Sequence, residues 1–187
     1  IELPDLLWLG KSITEEVYEN LPSKFYLKHR SSSGRTKLID KTAYNLDYIN
    51  RWMRNASTIN YSWITREWYY TQTREFIAEG LIETDELNDY KFFCCYGYPF
   101  LLQVDIDRHN IHKRNIYQII DEGREYKLLN LKLHSYEFDN KFKISKIDKA
   151  YDLASLLSKN FSFIRVDLYI FKGSIYFGEL TNVPGSG

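Results

Sequence analysis

Residues 165–187 read RVDLYIFKGSIYFGELTNVPGSG. The first run alternates. Ile164, Val166, Leu168 and Ile170 share one side of a strand, and Arg165, Asp167 and Tyr169 share the other. A Lys172-Gly173 turn and a second run, SIYFGEL, complete a terminal hairpin. If its loop has odd length, or if one strand carries a bulge, Asp167 and Glu179 lie opposite each other on the charged side. Carboxylates directly across a strand pair repel by up to about 1 kcal/mol. A cation between them removes that cost, and magnesium takes hard oxygens, usually one or two carboxylates plus substrate phosphates. The same spacing also fits a solvated sheet face with unrelated charges.

The 187 residues suffice for one domain or two small lobes. A hydrophobic content of 44% places the chain among folded proteins. Twenty-five basic and 25 acidic residues give zero formal charge, which argues against a partner such as duplex nucleic acid. No apolar run approaches the roughly 20 residues that a membrane span needs. The chain starts at Ile1 and not at Met, so an N-terminal segment is expected to be missing. Cys94 and Cys95 are neighbours whose side chains would point to opposite strand faces. They form neither a zinc motif nor a disulfide framework, and they suit a reducing cytoplasm.

Upstream, residues 1–22 read as an irregular lead-in with one short helix, signalled by a capping box at Ser12 and Glu15. KFYLKHR (24–30) reads as a strand and SSSGR (31–35) as a loop. Residues 41–56 carry Tyr44, Tyr48, Ile49, Trp52 and Met53 at helical spacing. A strand at 74–82 and a hairpin at 90–107 turning near Gly97 follow, then a loop-rich stretch at 108–144 and a helix at 144–161. The outline is α+β, with antiparallel hairpins covered by helices.

Two upstream segments bear on the charged hairpin. Lys28 ends a strand before a Ser/Gly loop whose backbone N–H groups suit phosphate oxygens. GK[ST] is absent, so this is not a Walker A loop. In FIAEGLIETDELNDYKFF, a strand ends at Glu79 and a polar loop leads to Asp89 and Lys91. Backbone groups after Glu79 suit an adenine edge, Asp89 a ribose and Lys91 a phosphate. Ordinary solvated turns account for either segment taken alone.

Together, LPSKFYLKHRSSSG, REFIAEGLI, DYKFFCCYGYP, VDIDRHNIHKRN and FIRVDLYIFKGSIYFGELTNVPGSG resemble the TupA-like branch of the ATP-grasp superfamily. That branch is named after a teichuronopeptide biosynthesis protein and occurs in cell-surface polysaccharide gene clusters. The resemblance implies an ATP-grasp fold, with two lobes of antiparallel sheet and packed helices. Residues 1–22 would be a lead-in or remnant of an N-terminal lobe, 23–82 the small lobe, and 83–187 the large lobe with the metal and substrate sites. It also implies a ligase, using ATP and Mg²⁺, that phosphorylates a carboxylate and lets an amine displace the phosphate.

By the same resemblance, Lys28 with Ser32, Ser33 and Gly34 would close over the phosphates. Glu79, Gly80 and Leu81 would form the adenine hinge, while Asp89 would meet the ribose and Lys91 a phosphate. Asp167 and Glu179 would hold the metal, and Arg165 would stabilise charge on the transferred group. The usual E-x-N motif is absent: Thr181 stands in the place of the Asn, and Asn182 follows one residue later, so either completes the ligand set. Arg108, a second catalytic candidate, begins a basic run with His109, His112, Lys113 and Arg114 that suits an anionic substrate. Gly185 and Ser186 offer backbone N–H groups to a carboxylate.

The expected substrate is a uronic acid, free, nucleotide-linked or polymeric, joined to an amine during capsule or wall polysaccharide synthesis. The expected setting is a larger multidomain chain or a complex with other polysaccharide enzymes. A phosphotransferase and a non-catalytic sugar- or partner-binding module are the alternatives. Trp63, Trp68, Tyr69 and Tyr70 are expected in a core more readily than on a sugar.

Overall fold

The computed structural model describes residues 1–30, 35–58, 74–82, 88–106, 113–131, 137–145 and 147–182. The chain divides into two compact units, Pro4–Glu83 and Ile1–Leu3 with Thr84–Ser186.

The first unit holds β1 (Leu6–Gly10), α1 (Glu15–Asn20), β2 (Lys24–His29), β3 (Thr36–Asp40), α2 (Leu46–Thr58) and β4 (Phe76–Glu79). Its strands pair in the order β1-β4-β2-β3, every neighbour antiparallel. Alternation puts Phe25 and Leu27 of β2 and Phe76 and Ala78 of β4 on one face, where they meet Ile49, Met53 and Ala56 of α2. Lys28 and Glu79 fall on the other face. The lead-in is more regular than its sequence suggests, since it supplies β1 as well as α1. Thr14, not Ser12, caps α1, its hydroxyl oxygen accepting from the Val17 N–H at 3.3 Å. Helix α2 starts later than expected because Asn45 accepts from the Tyr48 N–H at 2.9 Å and so caps it. The aromatic run around Trp63 to Tyr70 lies outside the described residues.

The second unit holds β5 (Asn88–Cys95), β6 (Tyr98–Ile106), β7 (Lys113–Ile120), β8 (Glu125–Leu128), α3 (Asp148–Ser158), β9 (Ile164–Phe171) and β10 (Ser174–Thr181). The sheet order is β10-β9-β5-β6-β7-β8, again antiparallel throughout. Strands β7 and β8 emerge from a stretch whose sequence reads as loop-rich. Helix α3 lays Ala150, Tyr151 and Ala154 on Tyr90, Phe92, Leu102, Val104, Tyr117, Val166 and Leu168, all from one face of the sheet. Two-residue turns at Tyr96-Gly97 and Lys172-Gly173 join β5 to β6 and β9 to β10. All four turn residues have positive φ, as tight hairpins require.

No helix among the described residues is long and apolar enough to cross a membrane.

Candidate functional site

The last hairpin has a loop of even length, so regular pairing would set Glu179 against Val166, on the apolar side. A bulge prevents this. Phe177 pairs with Leu168, Gly178 is the extra residue, and Glu179 pairs with Asp167. Leu180 and Thr181 then face Val166 and Arg165. Glu179 and Thr181 thus share the charged face with Arg165 and Asp167.

Between the two carboxylates lies a guanidinium. Arg165 donates from Nε to Asp167 Oδ1 at 2.6 Å and from Nη2 to Asp167 Oδ2 at 2.7 Å. The same Nη2 lies 2.9 Å from Glu179 Oε1 and 3.2 Å from the Thr181 hydroxyl. The Thr181 hydroxyl donates to Glu179 Oε1 at 2.7 Å. On the next strand Lys91 pairs with Asp167 in register. Its ammonium donates to Asp167 Oδ2 at 2.8 Å and to Asp89 Oδ2 at 2.5 Å. Asp89 is 0% exposed, Asp167 1% and Lys91 8%. Burial alone would pull the Lys91 pKa down, but Asp89 and Asp167 outweigh it and hold the ammonium above its ordinary value. Arg165 is raised in the same way: burial opposes its charge, while the hydrogen bond and charge of Asp167, followed by Glu179, favour it.

On the adjacent strand β6, Gln103 and Asp105 stand opposite Lys91 and Asp89 and continue the polar face. Asp105, 1% exposed, accepts from Arg114 Nε at 2.6 Å and from Gln103 Nε2 at 3.1 Å. Neither residue is among the candidates read from the sequence. The signal was present in LQVDI, where Gln103 and Asp105 alternate with Leu102 and Val104 and so mark a polar face. Lys113 and Arg114 do not act together. Arg114 lies on this face, whereas Lys113 points to the opposite one and pairs with Asp139 at 3.2 Å. Beside it Asn115, fully buried, accepts from the Asp139 N–H and donates to its carbonyl.

In the first unit, Lys28 and Glu79 sit diagonally across β2 and β4 and form an ion pair at 2.5 Å. The Gly80 N–H donates to the Asp5 carbonyl at 2.9 Å and is therefore committed within the fold. Leu81 continues the chain past β4. His29 is buried edge-on against Phe76 and belongs to the core. Ser32, Ser33, Gly34, Arg108, His109, His112, Gly185 and Ser186 lie outside the described residues.

The donor set suits a hard cation. Asp167, Glu179 and the Thr181 hydroxyl offer oxygen, and Glu179 is open to solvent at 58% side-chain exposure. Asn182 follows β10 in an exposed bend. Among the described residues no group of three or more His, Cys, Asp or Glu could hold a metal by itself. Two carboxylates and a hydroxyl fit magnesium that brings its own phosphate oxygens, not a closed protein cage. Lys91 bridges Asp89 and Asp167, so its charge offsets the two buried carboxylates on the sheet face.

The family model described as TupA-like ATPgrasp matches residues 5–187. No curated protein sequence matches the chain. Among solved structures, D-alanine–D-alanine ligase from Bacillus anthracis is similar at 16% identity with a TM-score of 0.54, over 100% of this chain and 53% of the ligase. The ATP-grasp ligase PsnB complexed with minimal precursor is similar at 12% identity and a TM-score of 0.49, over 98% and 48%. VanG D-Ala:D-Ser ligase from Enterococcus faecalis is similar at 16% identity and a TM-score of 0.45, over 99% and 49%. The chain spans about half the length of these structures.

Proposed function

Because the chain belongs to the TupA-like ATP-grasp family, we propose that it supplies the nucleotide and metal site of an ATP-dependent carboxylate–amine ligase. The observation that carries this reading is the bulge at Gly178, which places Glu179 opposite Asp167 on one face with Arg165 and Thr181. In the reaction, a carboxylate oxygen attacks the γ-phosphorus of ATP and ADP leaves. The amine nitrogen then attacks the acyl carbon, phosphate leaves, the nitrogen gives up a proton, and an amide remains. Magnesium, when bound, would neutralise phosphate charge and orient the γ-phosphoryl group.

The chain's own residues position and compensate charge. Glu179, Asp167 and Thr181 supply metal oxygens. Arg165 and, from the basic run, Arg108 and Arg114 stabilise anionic oxygens, for which a guanidinium is shaped. Lys91 holds Asp167 in place from the neighbouring strand. In the first unit Lys28 and the Ser32-Ser33-Gly34 loop cover phosphate, and the backbone around Glu79 to Leu81 receives adenine. His109, His112, Gly185 and Ser186 complete the substrate side. The proposed substrate is a uronic acid in capsule or wall polysaccharide synthesis, in the cytoplasm, within a longer chain or a complex of polysaccharide enzymes.

Calorimetric titration with a non-hydrolysable ATP analogue, with and without Mg²⁺, tests this. Binding that needs Mg²⁺ and weakens at least about tenfold (about 1.4 kcal/mol) in Glu179→Gln is expected. A folded protein that does not bind the analogue overturns the nucleotide site. Incubating uronates with and without amines while following ADP then separates ligase from phosphotransferase, because only the ligase needs an amine.

A further inference from the structure

We propose that Arg165 is the resident counter-cation of the Asp167–Glu179 pair and that it makes metal binding conditional on nucleotide. A divalent ion reaches these carboxylates only with a polyphosphate that takes the guanidinium over. This inference rests on the reading of the pair as metal–nucleotide ligands.

The geometry is specific. Both oxygens of Asp167 are engaged, Oδ1 by Arg165 Nε and Oδ2 by Arg165 Nη2 and Lys91 Nζ. Glu179 Oε1 is shared by the same Nη2 and the Thr181 hydroxyl. A metal arriving alone would have to shed water and displace charge-assisted bonds around a carboxylate that is 1% exposed. It would also sit beside two cations already compensating that carboxylate, and magnesium dehydrates reluctantly. A polyphosphate removes the obstacle. Two oxygens of one phosphate offer the planar guanidinium a two-point acceptor as good as the carboxylate it leaves. Glu179 stands at the exposed rim and is released first. Lys91 remains bridged to Asp89 and Asp167, so Asp167 keeps its position when Arg165 departs. Lys91 is thus a positioning residue that acts through Asp167.

The test is Mn²⁺ binding, followed by the electron paramagnetic resonance signal of the aqueous ion. Wild-type protein alone should leave that signal unchanged. Protein with a non-hydrolysable ATP analogue should remove more of it than the analogue alone does. Arg165→Gln, checked for native circular dichroism, should bind Mn²⁺ without nucleotide at least about tenfold more tightly than wild type. Arg165→Lys keeps one charge but cannot span both carboxylates, so it should gain less. Mn²⁺ binding to wild type that is equally tight with and without the analogue would overturn the coupling and leave the metal site standing. The absence of any gain in folded Arg165→Gln or Arg165→Lys would also overturn it. No Mn²⁺ binding to wild type even with the analogue would overturn the metal–nucleotide reading, and the coupling with it.

Discussion

A Cβ placed on Gly178 would stand 2.9 Å from the carbonyl oxygen of Asp167 and 3.1 Å from the Tyr169 ring. Glycine at the bulge lets the two strands approach, and the bulge turns Glu179 to the charged face. Gly178→Ala should therefore destabilise the second unit by about 1–3 kcal/mol, the usual cost of overpacking. It should also weaken binding of the ATP analogue, because the pairing of Glu179 with Asp167 shifts. Urea unfolding and calorimetry measure the two effects. A variant with wild-type stability and affinity would show that the strand pair tolerates the side chain.

The two carboxylates of the pair should differ in what they contribute to stability. Asp167 is buried between two cations, so Asp167→Asn leaves Lys91 and Arg165 poorly compensated and should cost about 3 kcal/mol or more. Glu179 is more than half exposed, and Glu179→Gln should cost less than about 1 kcal/mol. Equal costs in urea unfolding would contradict the burial difference.

A parallel contrast separates Lys113 from Arg114. Arg114 compensates the buried Asp105, and Arg114→Met should cost about 3 kcal/mol. The Lys113–Asp139 pair is more open to water, and Lys113→Met should cost less than about 1 kcal/mol. If Lys113→Met proved the more damaging, the assignment of faces on β7 would be wrong.

The cysteines should react one at a time. Burial pushes the Cys94 thiol up to about 11, so at pH 8 only about one molecule in a thousand carries the thiolate. Cys95 lies on the other strand face and is partly exposed. Iodoacetamide should alkylate Cys95 in the native protein and both residues after denaturation, as read by peptide mass. Prompt native alkylation of Cys94 would mean that β5 opens easily.

Much of the architecture was legible locally. The alternation in KFYLKHR and SFIRVDLYIF marks β2 and β9, and Tyr96-Gly97 and Lys172-Gly173 mark the β5–β6 and β9–β10 turns. Both signals act over a few residues. Strands β1, β3, β7 and β8 were not legible. Each is short or weakly alternating and owes its regularity to neighbours far along the chain, as when β1 pairs with β4. Among the site residues, Arg165, Asp167 and Glu179 could be proposed from pattern. Asp105 and Gln103 could have been, but Arg114, the partner of Asp105, is reached across β6 and β7.

The sequence by itself determined which residues share a strand face, because alternation is a property of the extended backbone. That is enough to put Arg165 with Asp167, whereas Lys113 and Arg114 are parted only once β7 is known to be a strand. Only the tertiary structure decided what stands opposite. A two-residue turn would have sent Glu179 to the apolar side, and one unpaired glycine reverses it. Placing β5 beside β9 brings Lys91 to Asp167 across 76 residues of chain. Register and strand order are set by long-range pairing and by burial of the α3 face, and neither is encoded in any short stretch.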